Sequence, residues 1–119
     1  MSTVLTPVTG KGHNLEFRVQ GAARCYAAGL YEGGKLRLYK KNLNYQVVAE
    51  TDFGWEFGMS YEIKATAVGN RIEIAVDGKV LLNWTDEDHP YLTGAVGVST
   101  MDLGHCIWDE IRVKEGTLC

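Results

Sequence analysis

Proline is scarce in this sequence, with two residues against fourteen glycines. That imbalance points to tight hairpin turns, because glycine supplies the positive φ they require. Cysteine is scarce too. Cys25, Cys106 and Cys119 are odd in number and lack C-x-x-C spacing, so neither a disulfide framework nor a zinc site is indicated, and buried or idle thiols are expected. No apolar run approaches the ~20 residues that span a bilayer. The N-terminus also lacks the basic-then-apolar pattern of a secretory leader. The chain as given is therefore expected to be cytoplasmic, or a module of something larger, with no membrane partner. Twelve basic residues against fifteen acidic ones leave a formal net charge of −3. The basic residues are scattered rather than blocked, which excludes an overall electrostatic footprint for nucleic acid. Low-complexity segments, internal repeats and a 3.6-residue apolar stripe are all missing. Asn83–Thr85 formally matches a glycosylation acceptor, which carries little meaning without a secretory context.

What is present is period-two alternation, the mark of strands with one buried face. At 119 residues the chain is the size of one domain with one core. "NLEFRVQG" puts Leu15, Phe17 and Val19 on one face. "RCYAAGLY" follows, then an "EGG" turn and "KLRLYKKN", with Leu36 and Leu38 inward and Arg37 and Tyr39 outward. "YQVVAET" leads into an aromatic connection, "DFGWEFGMS". Ile63, Ala65 and Ala67 then alternate against Glu62, Lys64 and Thr66, "GN" turns the chain, and Ile72, Ile74 and Val76 alternate against Arg71, Glu73 and Ala75. Asp77-Gly78 is a short hairpin loop to "KVLLNW", and "GAVGVSTM" and "CIWDEIRVK" close the series. About nine strands at this spacing predict an all-β, antiparallel two-sheet sandwich.

The run "SYEIKATAVGNRIEIAVDGKVLLNWTDEDHPYLTGAVGVST", followed by "IWDEIRV", resembles the concanavalin A-like (lectin/glucanase, laminin-G-like) jelly-roll sandwich. Upstream, "HNLEFRVQGAARCYAAGL" resembles the β-sandwich module appended to some bacterial ADP-ribosylglycohydrolase-type proteins and is similar to fructan-type carbohydrate-binding modules. The resemblance covers roughly residues 13 to 115 and implies a fold more than a function, since one sandwich hosts many activities. Domains of this kind usually run longer. The expectation is thus a single β-sandwich domain over residues 1–119, with its early strands missing or shortened and residues 115–119 a frayed tail.

Sugar recognition needs an aromatic face for the C–H surface and planar polar groups for the hydroxyls. In a jelly roll the platform is the outer, concave sheet face, so outward parity selects the candidates. On the last strand, inward Ile111 and Val113 would leave Trp108, Glu110 and Arg112 outward as a platform; the alternative is Trp108 covering the sheet or packing under a loop. Arg37 with Tyr39, Lys64 with Glu62, and Glu73 with Arg71 are further outward pairs, which cross-strand ion pairing alone would also explain. Arg24 and Tyr26 are candidates for the same face, Tyr26 equally for the core.

The acidic loop "WTDEDH" offers Asp86 and Asp88 as weak calcium candidates, but the fixed-offset spacing of a calcium loop is missing. A solvated turn, with Asp86 tied to backbone amides and Pro90 breaking the strand, explains it as well. Catalysis is not indicated. A retaining glycosidase needs two acids about 5 Å apart across a cleft, and Asp109, Glu110 and Glu115 have the wrong spacing. His13, His89 and His105 lack a nucleophile at motif spacing, since adjacent His105 and Cys106 point to opposite faces of a strand. The reading is a non-catalytic module binding a carbohydrate or sugar-like ligand. Its rival is an assembly sandwich that forms a homodimer or accompanies a hydrolase, and a glycoside hydrolase relative comes third.

Overall fold

The computed structural model describes residues 1–21, 23–101, 105–108 and 111. Among these, ten strands and no helix are found: β1 (Ser2–Thr9), β2 (Gly12–Val19), β3 (Arg24–Tyr31), β4 (Lys35–Asn42), β5 (Asn44–Asp52), β6 (Tyr61–Val68), β7 (Arg71–Val76), β8 (Lys79–Thr85), β9 (Ala95–Met101) and β10 (His105–Trp108). They form two five-stranded antiparallel sheets, ordered β10-β1-β6-β7-β8 and β5-β4-β3-β2-β9. The protein is an all-β, two-sheet sandwich. The frayed tail expected at residues 115–119 lies outside the described residues.

The alternation in the sequence is what makes the two layers. Leu15, Phe17, Ala28, Leu30, Leu36 and Leu38 of the second sheet meet Leu5, Ile63, Ala65, Ala67, Ile72, Ile74 and Val76 of the first, all buried in one cluster. Each Leu, Ile, Val and Phe side chain so buried contributes roughly 1.5–3 kcal/mol. Their strand neighbours face outward, which gives β6 its strict alternation of buried and open positions.

Two features depart from the alternating pattern. The chain was expected to enter its first strand near residue 14, yet β1 occupies the first sheet between β10 and β6. Its apolar alternation is masked by Thr3 and Pro7, both buried. Pro7, which has no N–H, lies beyond the β6 pairing of Ser2–Leu5, where it removes no bond from that ladder. The second departure is a bulge in β2 between Glu16 and Val19. Arg18 takes φ 51°, so its side chain turns inward and Val19 leaves the face of Leu15 and Phe17. Its Nη1 donates to the carbonyls of Gly69 and Tyr91. The bulged backbone needs Gly94 beside it, because a Cβ there would lie 2.3 Å from the Arg18 carbonyl carbon.

Asp86, at the end of β8, joins the sheets at one end of the sandwich. Its carboxylate is buried; one oxygen accepts the Tyr26 hydroxyl at 2.6 Å and the Lys40 ammonium at 2.7 Å, and the other accepts the Asp88 amide at 2.9 Å. The Tyr26 oxygen in turn accepts the Tyr91 amide at 2.9 Å. Burial by itself would raise the Asp86 pKa, but the donors from Lys40, Tyr26 and Asp88 outweigh it and hold the carboxyl below its usual range. A depressed folded pKa contributes stability that is present above the unfolded value, near pH ~4, and lost as pH falls through the folded value. Asp86→Ala should lower unfolding free energy at pH 7 by about 3–5 kcal/mol, because it leaves Lys40 and Tyr26 without their acceptor. Urea titrations of both proteins at pH 7 and near pH ~2.5 check this, since the wild-type advantage should shrink once the carboxyl is protonated. An equal gap at both values would show that the charge is not what stabilises.

Candidate functional site

The outer face of the β5-β4-β3-β2-β9 sheet is built from the residues that alternate with the core. Register places Gly97, Glu16, Ala27, Tyr39 and Val47 in one cross-strand row, and Ser99, Asn14, Gly29, Arg37 and Glu50 in the next. Small residues on β3 leave the middle of this face low, and those on β9 its edge. Longer side chains rise from β4 and β5 at its side.

Those side chains are held by one another. The Arg37 Nε donates to Glu50 at 2.5 Å, and the guanidinium lies 3.9 Å from the Tyr31 ring centroid. Such stacking and pairing fix the plane of the guanidinium and leave its other N–H groups directed. Tyr45 reaches from β5 across two strands to donate its hydroxyl to Glu16 at 2.8 Å. Its ring meets Tyr39 edge-on, with centroids 5.5 Å apart, and the Lys41 ammonium lies 4.9 Å from its centroid.

Beneath them lies a polar floor. Both amide atoms of Asn14 are buried with no hydrogen-bond partner. The Tyr39 hydroxyl is buried beside the Arg37 guanidinium without an aligned hydrogen bond, and the Ser99 hydroxyl is buried beside Tyr45 in the same way. An unpaired buried amide costs roughly 1–3 kcal/mol. Groups of this kind are seldom kept without a role, and a ligand that supplies the missing partners is one such role.

The protonation states suit uncharged recognition. Burial pushes Tyr45 up to about 12, with its bond to Glu16 adding to the shift. Burial also raises Tyr39 against the opposing pull of Arg37. Both phenols are therefore neutral O–H groups near pH 7. Cys25, on the same face, is pushed up to about 11 by burial and by Glu16, and buried Cys106 reaches about 11 through desolvation, so neither thiol is a thiolate nucleophile at neutral pH. The face thus offers a guanidinium fork, carboxylate acceptors, neutral hydroxyls and a carboxamide, a set that matches several ligand hydroxyls at once.

The candidates expected from parity fall on three surfaces. Arg37 and Tyr39 do share the outer face described above. Lys64 and Glu73 lie on the outer face of the other sheet, where Arg71 sits 3.8 Å from Glu73. Trp108 is a correction. It pairs with Leu5 in register and packs against the core, while Ile107 is the exposed neighbour. Parity carried back from Ile111 and Val113 puts Trp108 outward, but Cys106 and Trp108 are the inward pair. Glu110 and Arg112 lie outside the described residues. Tyr26 is core, and Arg24 is exposed at the end of β3. Asp86 is already bound by three donors, and Asp88 is exposed with its carboxylate 2.8 Å from His89 Nδ1. Among the described residues, no group of three or more His, Cys, Asp or Glu is placed to hold a metal. Asn14, Glu16, Tyr31, Tyr45 and Glu50 were not selected from the sequence. For Asn14 and Glu16 the signal was there, in their alternation with Leu15 and Phe17.

No family model matches this sequence, and no curated protein matches it. Among solved structures, the chain is similar to the carbohydrate-binding module CBM66 from Bacillus subtilis, with a TM-score of 0.82 at 21% sequence identity. The likeness covers 90% of this chain and 68% of that one. At this identity it shows the fold, a two-sheet β-sandwich.

The floor of the face sets a steric test. A Cβ on Gly29 would lie 2.0 Å from the His13 carbonyl oxygen, 2.4 Å from Asn14 Oδ1 and 2.7 Å from Asn14 Cα. Gly97, on the same face, would meet only Glu16 Oε1, at 3.9 Å. Gly29→Ala should therefore lower stability by roughly 1–3 kcal/mol or more, whereas Gly97→Ala should stay within about 0.5 kcal/mol of wild type. Thermal melts of the two variants decide the matter, and equal melts would refute the close β2–β3 approach at Gly29.

Proposed function

We propose that this chain is a non-catalytic carbohydrate-binding module whose ligand surface is the outer face of the β5-β4-β3-β2-β9 sheet. The observation that carries the reading is the buried, unpartnered amide of Asn14, set beside the Arg37–Glu50 and Glu16–Tyr45 pairs. A sugar ring laid on the face would give its hydroxyls to the carboxylates and the amide. Its C–H surface would lie against the exposed parts of the tyrosines. The structural similarity to a carbohydrate-binding module supports the same reading.

The finer kinship we propose is with concanavalin A-like, laminin-G-like jelly rolls, on the residues between Tyr61 and Thr100 that carry the resemblance. Fructans head the list of ligands because "HNLEFRVQGAARCYAAGL" is similar to fructan-type modules, and this segment contains Asn14 and Glu16 of the proposed face. The partner such a module would serve is a hydrolase domain, which it would hold at its polymeric substrate.

Calorimetric titration of the purified chain with fructans, β-glucans and simple sugars tests the proposal. Arg37→Ala should weaken saturable binding about tenfold or more, which corresponds to about 1.4 kcal/mol. Asn14→Leu is the sharper variant. It should remove binding while leaving stability equal or higher, because an isosteric apolar group relieves the unpaired amide. Silence of the folded wild-type chain across the panel, or binding unaffected by both variants, would overturn the assignment.

A further inference from the structure

On the core-facing side of the same sheet, at the ends of β3, β4 and β5, the sandwich opens. We propose that this open end holds a second ligand site, separate from the outer face, which takes an acidic sugar: a polyhydroxylated ring bearing one carboxylate.

The cavity there has a volume of about 660 Å³, room for a mono- or disaccharide. One wall is the core-facing side of the sheet where it runs past its partner. The cross-strand row Tyr26–Lys40–Gln46 is followed by the row Arg24–Asn42–Asn44, so the aliphatic core gives way to amides and cations. The other wall is the loop after Asp86, carrying Asp88, His89 and Tyr91.

This wall is already in place before any ligand arrives. Lys40 donates to the carbonyls of Asp88 and His89, Tyr91 donates its hydroxyl to the Lys41 carbonyl at 2.8 Å, and the Gln20 amide donates to the Thr93 carbonyl at 2.9 Å. Preformed walls reduce the ordering cost of binding.

The ligand class follows from which lining groups are still open. Lys40 is matched by Asp86 at 2.7 Å. The Arg24 guanidinium makes no hydrogen bond or ion pair with a described residue, and neither do the carboxamides of Asn42, Asn44 and Gln46. Three carboxamides that both donate and accept suit vicinal hydroxyls. A guanidinium with no carboxylate among the described residues calls for a planar anion held by two parallel bonds. Asp88, across the cavity from Arg24's strand, would accept from ring hydroxyls, which places the ligand's carboxylate at the Arg24 end.

Amide chemical shifts of the full chain, followed during titration with glucuronate, glucose and acetate, test the site. Glucuronate should give saturable shifts at Arg24, Gln46 and residues 88–91. Glucose should bind there about tenfold or more weakly, lacking the bidentate charge contact. Acetate should not saturate. Arg24→Gln, at an exposed position with no internal bond to lose, should reduce glucuronate to the glucose level, while Arg37→Ala should leave it unchanged. Equal affinity for glucose and glucuronate, equal response to acetate, insensitivity to Arg24→Gln, or shifts confined to the outer face would each overturn the proposal. Since Arg37→Ala tests only the outer face, failure of one site is distinguishable from failure of the other.

Discussion

The buried carboxylate of Asp86 is the constraint on which one end of this sandwich depends. It leaves the chain at the end of β8 in one sheet and is met by Tyr26 and Lys40 from the other. Two layers packed only through aliphatic contacts can slide, because apolar burial has no preferred direction. A charge-assisted bond does have one. The same three residues also fix the loop that follows: Asp86 accepts the Asp88 amide, Tyr26 accepts the Tyr91 amide and Lys40 reaches the Asp88 and His89 carbonyls. Arg18 holds the chain again at the Tyr91 carbonyl. Of the acidic segment, Asp86 is thereby a buried structural joint, while Asp88 and His89 stay exposed.

Polar groups on this protein divide into those that complete one another and those that do not. At Asp86 the Tyr26 hydroxyl, the Lys40 ammonium and the Asp88 amide all meet the carboxylate. On the outer face of the β5-β4-β3-β2-β9 sheet the peripheral groups are paired, Arg37 with Glu50 and Glu16 with Tyr45, while the Asn14 amide at the floor is not. The unmatched Asn14 lies across from Gly29, whose missing side chain keeps the floor low.

Much of the fold was legible because alternation is a local signal. Each of Ile63, Ala65, Ala67, Ile72, Ile74 and Val76 could be assigned inward from its neighbours alone, and all are buried. β1 was hidden because Thr3 and Pro7 occupy inward positions where aliphatics were sought. Val19 does not share the face of Leu15 and Phe17 because a bulge leaves no mark on sequence parity. Trp108 was placed outward for a related reason: parity was carried back from Ile111, whereas the pairing of Trp108 with Leu5 decides which face it shows.

The candidate site divides along the same line. Sequence alone determined that Arg37 and Tyr39 share a face and that Asn14 and Glu16 oppose Leu15 and Phe17, since side chains two apart on a strand always point the same way. It also determined that the chain would be a sandwich of short antiparallel strands. Only the tertiary structure decided that β2 and β4 lie on either side of β3 in one sheet, while β6 and β7, with Lys64 and Glu73, lie in the other. Strand order depends on long-range pairing and on which layer each hairpin joins. Neither is encoded in a window of neighbouring residues, so which outward residues meet on one surface was settled when the two sheets packed.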